Sequence, residues 1–275
     1  MGTVITVAMT KGGVGKTTTA VNVAAAFAMH GHSVCLIDLD QQGNATYAVT
    51  GQAKYNYNDY GLFDLFMDFG KMSQRMTAYL HETRIPKLRV LPATGMTNQI
   101  PPLLSILKAR HSDLKEYQVL DACIRPLRDM FEVIVIDTPP AKDALTISGI
   151  YAADTVLLPV NADKFSLDAL VETCSLIQSI NREDARDVDV LGVLLTKVER
   201  NSATAVIRKK LHTQEFAPLM LTTEIRKGAA VTDSTLLGGP VLMTEPRSNP
   251  AKDYLALYQE ILPEVLGKPA EDSGT

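Results

Sequence analysis

Lys11-Gly12-Gly13-Val14-Gly15-Lys16-Thr17-Thr18 is the stretch on which the fold of this chain turns. It follows an apolar run, Val4 to Met9, that reads as a buried strand, and it opens the Ala-rich segment Thr19 to Met29, which reads as a helix. A glycine-rich loop in that setting is suited to a polyphosphate. Its amide N–H groups can turn inward at close range, and the helix N-terminus adds positive potential. Lys16 would meet the outer phosphates as a point charge, and the Thr17 hydroxyl would bind Mg²⁺. The usual spacing is G-x-x-x-x-G-K-[ST]; here Thr10 stands at the first position, and the loop carries an additional lysine, Lys11.

Composition sets the bounds around that loop. With 275 residues, 46% of them hydrophobic and 21% charged, the chain has ordinary globular composition and length enough for a sizeable core. No linker, repeat or low-complexity tract divides it, which predicts a single domain over residues 1–266 and a polar, disordered tail over 267–275. A net charge of −4 excludes a chain that coats nucleic acid by overall charge, so any such contact must be focal. Cys35, Cys123 and Cys174 lie far apart without C-x-x-C spacing and read as small apolar residues in a reducing, cytoplasmic setting. His30, His32, His81, His111 and His212 show no metal-ligand spacing. No apolar stretch approaches the roughly 20 residues of a membrane span. Residues 1–9 lack a signal-peptide layout, and the early first strand leaves no room for a preceding DNA-binding domain.

Taken in order, Val34 to Ile37 reads as a second buried strand that ends in Asp38-Leu39-Asp40-Gln41-Gln42-Gly43-Asn44. Carboxylates at the C-terminal end of a parallel strand sit on the rim where open α/β sheets bind ligands. A short helix is expected from Leu62 to Phe69, a strand from Leu88 to Leu91, and helices over Pro101 to Arg110 and Tyr117 to Met130. Val133 to Ile136 is a strand closed by Asp137-Thr138-Pro139-Pro140, the arrangement in which a carboxylate holds a water of the Mg²⁺ shell. Thr155 to Val160 and Val190 to Leu195 read as strands around a helix over Phe165 to Ile180. Helices over Asn201 to His212 and Ala251 to Leu266 follow. The repeated strand–helix–strand order predicts an α/β, doubly wound, mostly parallel sheet with helices on both faces.

The form K-G-G-x-G-K-T-T resembles the deviant Walker A motif of the ParA/MinD ATPase family, ParA/Soj-type partition ATPases most of all. Asp38 to Asn44 is similar to that family's D-x-D-P-Q-G-N segment, with Gln41 in place of proline, and Leu91-Pro92-Ala93 is similar to its Leu-Pro-Ala strand end. The resemblance spans about Val4 to Leu266. It implies ATP and Mg²⁺ as ligands, Lys16 on the phosphates, Thr17, Asp38 and Asp137 around the metal, and Asp40 positioning the attacking water. It also implies that Lys11 reaches the nucleotide of a partner subunit in an ATP-bound homodimer. Thr196, Lys197, Ile225 and Arg226 would lie near the nucleotide. Arg200, Arg208, Lys209, Lys210, Lys227 and Arg247 would supply contacts to double-stranded DNA without sequence preference. Arg226 stands where the family has proline, and Ala230 where it has a DNA-contacting arginine. A ParB-like centromere-binding protein would stimulate hydrolysis, and the ATP form would associate with the nucleoid.

Three relatives of the same engine read differently. A MinD-like membrane switch needs a basic amphipathic C-terminal helix, which residues 267–275 cannot supply. A nitrogenase-reductase type needs cluster cysteines, and Thr138 stands where one is required. An ATPase that positions a protein cargo or assists conjugation shares every motif above, and a nucleotide-binding scaffold with negligible hydrolysis is the reading outside enzymes.

Overall fold

The computed structural model describes residues 1–52, 60–71, 75–111, 113–212 and 216–267. Its eight strands form one sheet: β1 (Thr3–Val7), β2 (Val34–Asp38), β3 (His81–Glu82), β4 (Leu88–Leu91), β5 (Val133–Asp137), β6 (Thr155–Asn161), β7 (Asp189–Val198) and β8 (Met220–Arg226). The order is β3-β4-β2-β5-β1-β6-β7-β8, all parallel except the short β3, which runs antiparallel to β4. The expected sheet is thus the observed one. β1 lies between β5 and β6, so the chain winds outward from it in both directions, and ligands of such sheets bind where the order reverses.

The helices are α1 (Lys16–Met29), α2 (Asn44–Thr50), α3 (Leu62–Met67), α4 (Ile100–Arg110), α5 (Val119–Ile124), α6 (Ala144–Ala152), α7 (Lys164–Asp184), α8 (Ser202–Leu211), α9 (Ala229–Leu237), α10 (Val241–Thr244) and α11 (Asn249–Leu266). Strand alternation explains why both faces need them. Ile5, Val7, Leu36, Val133 and Val135 join the core under α1 and α11, whereas Val4, Cys35, Ile37, Ile134 and Ile136 join the core under α3 to α6. A third core places α7 and α8 against β6 and β7 through Val156, Leu158, Val193 and Leu195.

Two expectations are corrected. The helix expected over Tyr117 to Met130 is α5 between two 3-10 turns, Glu116–Gln118 and Arg125–Asp129, because Pro126 has no N–H to donate and its ring crowds the preceding turn. Leu62 to Phe69 is helical only to Met67. The tail expected over 267–275 lies outside the described residues beyond Gly267.

Candidate nucleotide site

The loop crosses the C-terminal end of β1 and feeds α1, whose first residue is Lys16. Gly13 (φ 75°) and Gly15 (φ 91°) take left-handed backbone that a side chain would strain, which is why glycine is required there. Lys16 is buried at the centre, and its Nζ donates to the Lys11 carbonyl at 2.9 Å. Burial lowers its pKa, against the opposing charges of Asp137 and Asp40.

Two carboxylates, Asp40 and Asp137, face that lysine from the ends of β2 and β5, and a third, Asp38, stands beside them. Asp38 is fully buried and organises the loop after β2: it accepts from the Asp40 N–H (3.1 Å), the Thr46 N–H (2.8 Å) and the Thr46 hydroxyl (2.7 Å). Burial still pushes its pKa up to about 6. Asp40, 7% exposed, accepts from the Gln42 N–H at 2.9 Å and lines the cavity beside the loop. Asp137 is fully buried; neither carboxylate oxygen makes a hydrogen bond of good geometry, although the Thr17 hydroxyl stands close enough to favour its charged form. Burial first and the Asp38 charge second raise its pKa well above the carboxylate range, with Thr17 and Lys16 pulling the other way. An orphaned buried carboxylate beside a threonine hydroxyl fits a hydrated Mg²⁺, which keeps several waters and takes its other ligands from phosphate. No group of three or more His, Cys, Asp or Glu among the described residues is placed to hold a metal ion.

Two cavities flank the loop. One of ≈ 530 Å³ is lined by Gly13, Lys16, Thr17, Asp40 and Lys197, with Val231, Thr232 and Leu236 of α9 opposite. The other, ≈ 480 Å³, is lined by Gly15, Thr18, Thr196, Lys197, Ile225, Arg226 and Tyr254. Structure therefore gathers the predicted Thr196, Lys197, Ile225 and Arg226 beside the loop. The Arg226 guanidinium is held by Asp253 (Nε–Oδ2 3.0 Å), so its charge is already engaged within the chain where the residue lines this cavity.

Lys11 lies against its own subunit. Its ammonium pairs with Asp163, the N-cap of α7, donates to the Ser166 hydroxyl at 3.1 Å and sits 5.8 Å from the exposed Phe165 ring. Burial would raise the Asp163 pKa, but the hydrogen bonds from Lys11 and Ser166 outweigh it and the net shift is downward.

Of the predicted DNA-contact residues, Arg200, Arg208 and Lys227 line a groove at the ends of β7 and β8, whereas Lys209, Lys210 and Arg247 lie outside its lining. Arg208 is held bidentately by Glu224 (2.7 Å for each bond), and Lys227 pairs with Glu199. Arg200, Lys209, Lys210 and Arg247 are exposed and make no ion pair with the described residues. Sequence reading passed over Asn161, Asp163 and Tyr254. Asn161 stands at the end of a buried strand, but its contact with the loop joins residues far apart along the chain and leaves no local signal.

A family model described as an AAA domain matches residues 2–190. The sporulation initiation inhibitor protein Soj of Bacillus subtilis is 29% identical over 95% of this chain and 98% of its own length. The chromosome partitioning protein ParA of Myxococcus xanthus is 28% identical over 95% of this chain and 88% of its own. Among solved structures, the Cyanothece McdA(D38A)–ATP complex superposes with a TM-score of 0.80 at 21% identity, covering 95% of this chain and 96% of that one. That likeness speaks to fold.

Proposed function

As a chain that belongs to the ParA/MinD family of P-loop proteins, this protein is, we propose, an ATP hydrolase for DNA partition, in which ATP pairs two subunits and hydrolysis lets them part. The carrying observation is the buried set of Lys16, Asp137, Asp38 and Asp40 around the phosphate loop. Phosphoryl transfer to water needs positioning and charge neutralisation more than covalent chemistry, and this set offers both.

In this reading the loop amides and Lys16 bind the phosphates. Thr17 and Asp137, with Asp38 behind them, hold Mg²⁺, which when bound neutralises charge on the phosphate oxygens. Asp40 accepts a hydrogen bond from the attacking water and orients it. Lys11 leaves Asp163 and enters the partner's pocket, where a cation supplied in trans contributes on the order of 10³ to 10⁵ in rate, or roughly 4 to 7 kcal/mol. A lone subunit should therefore hydrolyse slowly.

Pairing doubles the exposed cations Arg200, Lys209, Lys210 and Arg247, and affinity for DNA rises steeply with the number of phosphate contacts. Near full-length similarity to Soj and ParA supports partition, with a ParB-like protein as stimulator and the cytoplasm and nucleoid as its place. No described helix is long and apolar enough to cross a membrane. The second reading, positioning of a protein cargo, is favoured by one observation: Glu199 and Glu224 already neutralise Lys227 and Arg208. Gel retardation of random DNA with ADP, ATP and a non-hydrolysable analogue, alongside phosphate release, decides between them. ATP-dependent retardation weakened by salt is expected for partition, and DNA indifference in every nucleotide state rules it out.

A further inference from the structure

We propose that Asn161, Thr196 and Lys197 form a clamp that presets the phosphate loop for a nucleoside triphosphate, acting as positioning residues through the loop's carbonyl groups. The inference rests on the ATPase reading above and adds how the cradle is kept open.

The Gly13 carbonyl accepts from Asn161 Nδ2 at 3.2 Å and from Lys197 Nζ at 2.6 Å. The next carbonyl, Val14, accepts from the Thr196 hydroxyl at 2.8 Å, and Asn161 Oδ1 lies 2.9 Å from that same hydroxyl. The three side chains come from the C-terminal ends of β6 and β7, so two neighbouring strands grip two consecutive peptide units. In a trans peptide the carbonyl and the following N–H point in opposite directions, and no peptide bond among the described residues is cis. Holding the Gly13 and Val14 carbonyls toward β6 and β7 therefore turns the Val14 and Gly15 N–H groups to the other side of the loop, as donors for an anion. Glycine-rich backbone does not hold such an orientation unaided, because glycine samples both signs of φ. The clamp removes that freedom.

An independent observation is the backbone of Lys197. Its φ of 53° lies in the left-handed region, unusual for a residue with a side chain, and it interrupts the β7–β8 register between Leu195 and Val198. Strain of that kind persists where the surroundings impose it, and it clusters at ligand sites. Here it accompanies an ammonium that reaches the loop from the end of β7. Lys197 also lines both cavities, so the same residue borders the base and phosphate ends of the site.

The test is titration calorimetry with Mg²⁺ and ATPγS on the full chain, together with thermal melting without nucleotide. Lys197→Gly should melt no lower than wild type, since glycine suits a positive φ, yet bind ATPγS about tenfold more weakly. Asn161→Ala should lose affinity similarly, and Lys197→Arg, which can still donate, should retain most of it. Variants that bind within twofold of wild type overturn the clamp while leaving the ATPase reading standing. Loss of affinity only in step with loss of melting temperature also overturns it, because general damage then explains the result. If wild type itself does not bind ATPγS, the ATPase reading falls and the clamp with it.

Discussion

Asp38 and Asp137 lie fully buried at the ends of adjacent strands, facing residues in register. A buried carboxyl whose pKa is raised by folding favours the protonated state, so its stabilising effect is complete below the unfolded value near 4 and is lost as pH rises through the folded value. For Asp38 that window is about 4 to about 6, with burial as the leading cause. Metal-free protein should therefore lose melting temperature across that window. Millimolar Mg²⁺ with ADP should restore it at pH 7.5 more than at pH 5, as scanning calorimetry at both pH values would register. A second expectation concerns Lys11. Lys11→Ala should abolish ATP-dependent dimerisation in sedimentation while retaining nucleotide binding, since Lys16 and the loop amides stay in place; an unchanged dimer would remove the trans role. At this scale Lys16 and Thr17 were legible from the phosphate-loop pattern and Asp137 from an apolar strand closed by a carboxylate downstream of that loop, whereas the part given to Asp40 came from the family resemblance. Asn161 and Asp163 were not legible. Their partners are the Gly13 carbonyl and Lys11, about 150 residues away, and nothing local marks such a meeting.

Phe27 shows what α1 demands of its surroundings. The ring is fully buried between the sheet and α11 and meets the Tyr258 ring edge-on at 5.0 Å. Phe27→Ala should cost about 3–5 kcal/mol by lost transfer and a residual cavity, measured as a shift in urea midpoint at constant slope. ATP affinity extrapolated to the folded fraction should change far less, because the loop lies at the opposite end of the helix. Strands β1, β2 and β4 to β7 were legible within a few residues, since each is an apolar run closed by a turn or a carboxylate. β8 was not. Its Met-Leu-Thr-Thr-Glu-Ile-Arg carries polar residues at an exposed edge and offers neither a continuous apolar run nor clean alternation. α6 escaped notice for the opposite reason, being a short apolar segment with no polar face to give it helical period.

Across the whole molecule, ion pairs decide which surface cations are free to meet an anionic partner. Three of the cations near the β7–β8 groove, Arg208, Arg226 and Lys227, are held by Glu224, Asp253 and Glu199. Replacing Glu199 and Glu224 together by glutamine should free two cations per subunit. If those residues meet DNA, retention of random duplex in ATP should strengthen, and the logarithmic salt dependence should steepen by roughly 2 per subunit. Unaltered retention would assign DNA contact to Arg200, Lys209, Lys210 and Arg247 instead. The winding of the sheet was legible from the alternation of strands and helices, whereas the pairing of those charges depends on how α8 and α11 settle against β8.

That last strand has a further consequence. Its outward amides at Thr222 and Thr223 are taken by the Glu260 carboxylate (2.6 and 2.9 Å), and the Arg226 amide by Asp253 (2.9 Å). An incoming β-segment would find these hydrogen-bond sites occupied by negatively charged groups of α11. Growth of the sheet into a ribbon of many copies is therefore opposed along this border, where the docking positions of a further strand are already spoken for by side chains of the same molecule.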